Sequence, residues 1–272
     1  MLKTRVITAL VLLAILLALL LSQSFLAVAV AVAVFFAAAA WEGFRLFGSK
    51  YPVIGAALWT AVFAYIAFKG VVVDAIALFG ACVAIWAVRL APSLAFGLPP
   101  VEGISNRLLN GIYGVAIFGC FVAILALYRH SPLYLFSVFA IVWIADIGAY
   151  FSGKAFGKRK LAPSISPGKS WEGAFGGWLA VIIFFAVTTM FSILADTFAS
   201  KLMARWGWAG LFGGLSLIVG ASIVGDLFES QLKRRAGIKD SSNLLPGHGG
   251  ILDRIDALIP ALPLAVLIDY WL

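Results

Sequence analysis

Nine apolar runs leave this chain little choice of solvent. They lie at about 5–21, 24–41, 53–68, 71–89, 108–128, 132–151, 173–195, 208–228 and 251–271. A helix needs roughly 20 apolar residues to cross the hydrocarbon core of a bilayer. Strands of a transmembrane barrel would instead be short and alternating. Composition agrees: 63% of residues are hydrophobic and 12% charged, about half the charged share of a soluble domain. Polar groups on that scale cannot cover a globular surface. The expected fold is all-α, a polytopic transmembrane helical bundle of about nine helices.

Lys3 and Arg5 before the first run imitate a secretory signal. The run is longer than a signal core and leads almost directly into a second span, so a retained helical hairpin is expected. With the N-terminus in the cytoplasm and spans alternating, sixteen of the twenty Lys and Arg fall on the cytoplasmic side. That is a strong positive-inside bias. It accounts for the net charge of +8 without a nucleic-acid partner. It also puts loops 152–172 and 229–250 on one side. Cys82 and Cys120 sit inside apolar runs and read as small buried hydrophobes. Trp and Tyr near run ends fit an interfacial belt. Gly176 with Gly177, and Gly213 with Gly214, permit close helix packing.

Charge is scarce here, so its placement matters. Residues 226–256 hold five carboxylates, five Lys or Arg and one of two histidines. Asp226, Glu229 and Lys233 fall at i, i+3 and i+7, on one helical face. After the turn-forming SSNLLPGHGG, the ninth run opens with Asp253 and Asp256. Two neighbouring antiparallel helices would aim Asp226 at Asp253 and Asp256, and such oxygen ligands suit Mg²⁺ or Mn²⁺. The competing reading is a set of salt bridges with Lys233, Arg234 and Arg254. A second polar cluster ends the sixth run. Asp146 lies about one turn from the end of an apolar helix. The loop beyond it carries Lys154, Gly168, Ser164, Ser166 and Lys169. SPGKSWEG lacks the spaced first glycine of a P-loop, and no strand precedes it. Its glycines, hydroxyls and lysine still suit a phosphate chain.

The 27 residues SQLKRRAGIKDSSNLLPGHGGILDRID, Ser230 to Asp256, resemble the signature of the phosphatidate cytidylyltransferase (CDP-diacylglycerol synthase) family. Ser230, Lys233-Arg234, Lys239-Asp240, Leu245-Pro246, His248-Gly249-Gly250, Asp253-Arg254 and Asp256 stand in the family's order. ADIGAYFSGKAFGK, SPGKSWEG and VGDLFES extend the resemblance over roughly 140–260. It implies that CTP and phosphatidic acid give CDP-diacylglycerol and pyrophosphate, a step of phospholipid biosynthesis. It further implies Mg²⁺ dependence and a homodimer. Residues 1–130 would be lipid-facing and dimer-forming helices, and 131–272 the catalytic region. A lipid phosphate, with a second pKa of about 6, needs no general base; positioning and charge neutralisation carry such a transfer.

Roles follow as expectations. Asp226 and Asp253 hold the metal, and Asp256 or Asp146 completes its shell or holds a second cation. Lys233, Arg234 and Lys239 bind the triphosphate. Arg254 serves the lipid phosphate or an aspartate, and Asp240 orients Lys239. His248 donates to the nucleotide or holds its turn. Gly249 and Gly250 let the backbone approach the nucleotide. Lys154, Ser166 and Lys169 close the site, and Ser230 belongs to the same substrate-binding set. Glu42 ends the second helix or contacts the lipid pocket; Asp74 and Asp269 have no assigned role. The expected location is a bacterial inner membrane with the site facing the cytoplasm. The alternatives are another CTP-dependent lipid enzyme, such as a polyprenol kinase, and a cation-coupled secondary transporter. The transporter reading expects two related halves, whereas the charge here lies in the C-terminal half.

Overall fold

The computed structural model describes residues 2–69 and 75–272. Asp74 and the start of the fourth expected span lie outside the described residues. The chain is a helical bundle: α1 Leu2–Leu21, α2 Phe25–Leu46, α3 Pro52–Lys69, α4 Ile76–Ile85, α5 Ser93–Phe96, α6 Ile104–His130 and α7 Pro132–Phe156. A two-stranded hairpin follows, β1 Lys160–Ala162 and β2 Ser166–Ser170. Then come α8 Trp171–Thr188, α9 Phe198–Arg235, α10 Leu252–Ile255 and α11 Leu258–Asp269. Among the described residues seven helical segments are long and apolar enough to cross a membrane, and α1 and α11 supply shorter apolar helices. The protein is an all-α integral membrane protein.

Helix starts follow side-chain chemistry. The hydroxyls of Ser24, Ser131 and Ser170 accept the first free amides of α2, α7 and α8, from Ala27, Tyr134 and Gly173. Such caps satisfy donors that have no partner inside the helix. Pro132 adds a preset φ at the start of α7. The fourth run is not one smooth helix: α4 passes into a π turn, Trp86–Leu90, before the short α5. The eighth starts earlier than expected, because α9 opens at Phe198 and breaks at Gly207 (φ 62°, ψ −155°), a conformation left to glycine. Beyond that kink α9 runs about 40 Å at 1.5 Å per residue, longer than the ~30 Å hydrocarbon core. Its polar end from Asp226 to Arg235 therefore reaches the membrane surface. The ninth run is split into α10 and α11.

Stacked Phe36 and Phe63, with Phe118 and Phe121 edge-on, join α2, α3 and α6. α11 fills the middle of the bundle, with Leu258 to Pro263 all buried. α7 and α8 pack backbone to backbone: a methyl on Gly177 would overlap the Ala145 carbonyl, and one on Gly148 would lie 3.0 Å from Gly177 Cα. Gly214 admits Leu202 from the folded-back start of α9, whereas Gly213 faces open space. Cys82 and Cys120 are free and buried.

Candidate active site

A cavity of about 500 Å³ opens where α7, the hairpin, α8 and α9 meet. Its polar lining is Asp146, Tyr150, Lys154, Ser166, Lys169, Ser170 and Asp226, and its walls include Gly153, Gly168, Gly173 and Gly177. The close α7–α8 packing that the glycines allow forms the back of this space. The segment expected to be a loop is the β1–β2 hairpin, with Lys160 opposite Ser170 and Ala162 opposite Ser166. Glu172 fixes its entry by accepting the Lys158 and Arg159 amides. The hairpin aims Lys169 across the cavity onto Asp226 Oδ2. Ser230 Oγ donates to Asp226 Oδ1 at 3.3 Å. Asp146 has no hydrogen-bond or ion-pair partner among the described residues and shares the cavity with Asp226 and Lys169.

A second, buried network lies one helical turn onward. Lys233 Nζ donates to Glu229 Oε2 at 2.7 Å and to Asp253 Oδ1 at 2.6 Å. Asp253 Oδ2 accepts from Ser241 N and Oγ, both at 2.8 Å, and from Gly250 N at 2.7 Å. Glu229 Oε1 is buried without a hydrogen-bond partner, and Asp256 Oδ1 accepts the Ala257 amide at 2.8 Å. Asp226 and Asp253 thus belong to one neighbourhood, and Asp253 is engaged by Lys233 and three further donors. The Lys233–Asp253 ion pair is one the salt-bridge reading expected, while Asp226 faces the cavity.

Other expected residues scatter. Arg234 is exposed and reaches the Ile165 carbonyl at 3.4 Å, tying α9 to the hairpin turn. Arg254 is exposed. Lys239 and Asp240 are exposed on the loop after α9, and no ion pair joins them among the described residues. His248 sits in the turn with its amide on Leu245 O, and its Nδ1 is buried without a partner. Gly249 (φ 83°) brings the backbone against Asp253. A side chain on Gly250 would overlap Glu42 and Ser241. These two glycines therefore make room for protein carboxylates.

Sequence reasoning missed Glu42 as part of this assembly. It does not end α2, which runs on to Leu46. It is fully buried and holds the 241–252 segment. The signal was available: a lone carboxylate in an apolar run asks for a reason. Asp269 was also left without a role, yet it accepts the Tyr134 hydroxyl at 2.7 Å at the far end of the bundle.

From residue 3 to residue 271 the chain matches the model of the Cytidylyltransferase family. The chain belongs to that family. A phosphatidate cytidylyltransferase of Pseudomonas aeruginosa is 43% identical over 276 residues, covering 97% of this chain and 95% of the relative. One from Haemophilus influenzae is 36% identical over 284 residues, covering 97% and 96%. One from Bacillus subtilis is 40% identical over 157 residues, covering 57% of this chain and 54% of the relative. For this cytidylyltransferase family member, the match spans the N-terminal helices as well as the charged C-terminal part.

Proposed function

We propose that the protein transfers the cytidylyl group of CTP to phosphatidic acid, giving CDP-diacylglycerol and pyrophosphate. The observation that carries this reading is the cavity in which two carboxylates, Asp146 and Asp226, meet Lys154, Lys169 and Ser166 at a membrane-surface end of the bundle. The names of the full-length relatives support it. A phosphate oxygen of the lipid attacks the α-phosphorus of CTP, the bond to the β-phosphate oxygen breaks, and pyrophosphate leaves. Two anions must approach, so fixed cations and dipoles do most of the work. Lys169 and Lys154 hold the triphosphate from the hairpin side, with the Ser166 hydroxyl as a further donor. In substrate's presence a phosphate takes Lys169 from Asp226. Lys233, fixed by Glu229 and Asp253, keeps a positive charge at the α9 end. Arg234, Lys239 and Arg254 are exposed where the leaving pyrophosphate or the lipid headgroup reaches them.

The donor set fits a divalent cation such as Mg²⁺. Among the described residues no three His, Cys, Asp or Glu side chains gather to cage an ion, and Mg²⁺ is commonly held by one or two carboxylates plus substrate phosphates. Asp226 and Asp146 would hold it, with Asp256 behind them; Asp253 acts through Lys233 instead. When bound, the cation would neutralise phosphate charge. The reading places the site at the cytoplasmic face of a bacterial inner membrane, supported by the sixteen-to-four distribution of Lys and Arg. It includes a homodimer built through residues 1–130.

Purified chain with CTP labelled in the α-phosphate, phosphatidic acid and Mg²⁺ should yield labelled CDP-lipid and unlabelled pyrophosphate. CDP with a phosphorylated lipid would indicate a kinase. Failure to form either product would contradict the reading.

A further inference from the structure

We infer that Glu42, in the N-terminal half, is a positioning residue for the reaction: it clamps the 241–252 segment and so sets Asp253 and Lys233 in place. The inference rests on the proposed activity for its kinetic consequence, but its structural part stands by itself.

Glu42 is 0% exposed, on a helix with an otherwise apolar run before it. Its two carboxyl oxygens receive four donors. Oε1 accepts the Ser242 hydroxyl and, at 3.0 Å, the Ile251 amide. Oε2 accepts the Leu252 amide at 2.6 Å and the Ser241 hydroxyl at 3.2 Å. Two amides and the Ser242 hydroxyl donate to it outright, and the Ser241 hydroxyl is shared with Asp253. All four come from one segment, 199 to 210 positions away in sequence. Gly250 has no side chain because that space is taken by the Glu42 carboxyl and Ser241.

The chain of contacts then leads to the site. Ser241 is shared: its amide donates to Asp253 Oδ2, and its single hydroxyl proton lies between Asp253 Oδ2 at 2.8 Å and Glu42 Oε2 at 3.2 Å. Asp253 in turn holds Lys233. Removing Glu42 would leave the Ser242 hydroxyl and two buried amides without their acceptor, and the Ser241 hydroxyl with Asp253 alone. Unmet buried donors are costly enough to open a loop. The N-terminal half touches the same region elsewhere, through Thr8 to the Pro246 carbonyl at 2.8 Å and Gln231 to the Ser93 carbonyl at 2.9 Å. Those contacts hold the segment near; Glu42 sets its register.

The test compares wild type, Glu42→Gln, Glu42→Asp and Ser241→Ala as full-length protein in lipid nanodiscs. Size-exclusion profile, hydrogen exchange of residues 241–252, and kcat and KM for both substrates are measured. A clamp predicts that Glu42→Gln elutes as wild type while exchange of this segment rises at least tenfold. It predicts kcat at least tenfold lower with the KM for phosphatidic acid within about twofold. Ser241→Ala should lower kcat in the same direction, and the double variant should lose less than the product of the two single losses. Glu42→Asp should recover part of kcat. Wild-type exchange in Glu42→Gln overturns the inference. So does unchanged kcat in an active preparation. If Glu42→Gln does not fold, the Ser241→Ala result decides: normal kcat overturns the inference. If wild type does not turn over CTP and phosphatidic acid but Glu42→Gln accelerates exchange, the clamp stands and the substrate reading falls.

Discussion

Two ends of the bundle each gather charge. At the far end, His130, Ser131, Asp196, Lys201, Tyr134 and Asp269 form a clasp between α6, α7, α9 and α11. Asp196 meets Ser131 Oγ at 2.6 Å, Lys201 at 3.2 Å and His130 at 3.3 Å. Asp269 takes the Tyr134 hydroxyl and His130 Nδ1 at 3.5 Å. Both carboxylates there accept hydrogen bonds from the protein. At the other end Asp146 faces a cavity with no such partner, and Asp226, held by Ser230 from its own helix, meets a lysine on a hairpin. Density of charge alone does not separate the two. What separates them is space beside the charge, and a counterion that a substrate anion can take over.

Substitutions sort by which end they touch. The largest effect is expected for Asp226→Asn: turnover falls roughly 10²- to 10³-fold, the scale for removing one preorganised electrostatic group, with normal elution on size exclusion. Asp269→Asn should leave kcat within about twofold. Equal losses in both would erase the distinction drawn here. Next, Lys169→Ala should lower kcat/KM for CTP roughly 10- to 100-fold, as for loss of a charge-assisted hydrogen bond. Titration of CTP in the product assay checks it.

Gly177→Val tests the wall between the ends. Overpacking against the Ala145 carbonyl should cost about 1–3 kcal/mol, read as a lower thermal midpoint in detergent, with activity falling as α7 moves. Tyr134→Phe should cost only about 0.5–1.5 kcal/mol and leave kcat intact. The smallest effect concerns pH. Burial raises the Asp196 carboxyl, but Ser131, Lys201 and His130 outweigh it and hold the carboxyl below its usual range. Its contribution is therefore complete above the ordinary carboxylate pKa and lost as pH falls through the lowered folded value. Thermal midpoints should decline with acid below about pH 4, and Asp196→Asn should flatten that decline.

Much of the fold was legible because apolar runs in a bilayer have few solutions. Among the described residues each expected span contains helix. The departures are local: a π turn at Trp86–Leu90, a kink at Gly207 and a break between α10 and α11, which apolar length does not report. The cavity residues Asp146, Lys169 and Asp226 were legible because polar groups at membrane depth require a reason. The partnership of Asp253 with Lys233 was legible only as one of several possible salt bridges. Helical spacing places Lys233 on the Asp226 face, but it does not say which loop residue folds back onto it. Glu42 was visible as an oddity and unreadable as a clamp, since its donors lie some two hundred residues on.

The most direct test of the central claim is anomalous diffraction from crystals grown with Mn²⁺ and CTP. The account predicts a manganese peak in the cavity, touching Asp226 or Asp146, with the triphosphate beside Lys169. A peak held by Asp196 and Asp269, or nucleotide density away from the α7–α8–α9 cavity, would contradict it.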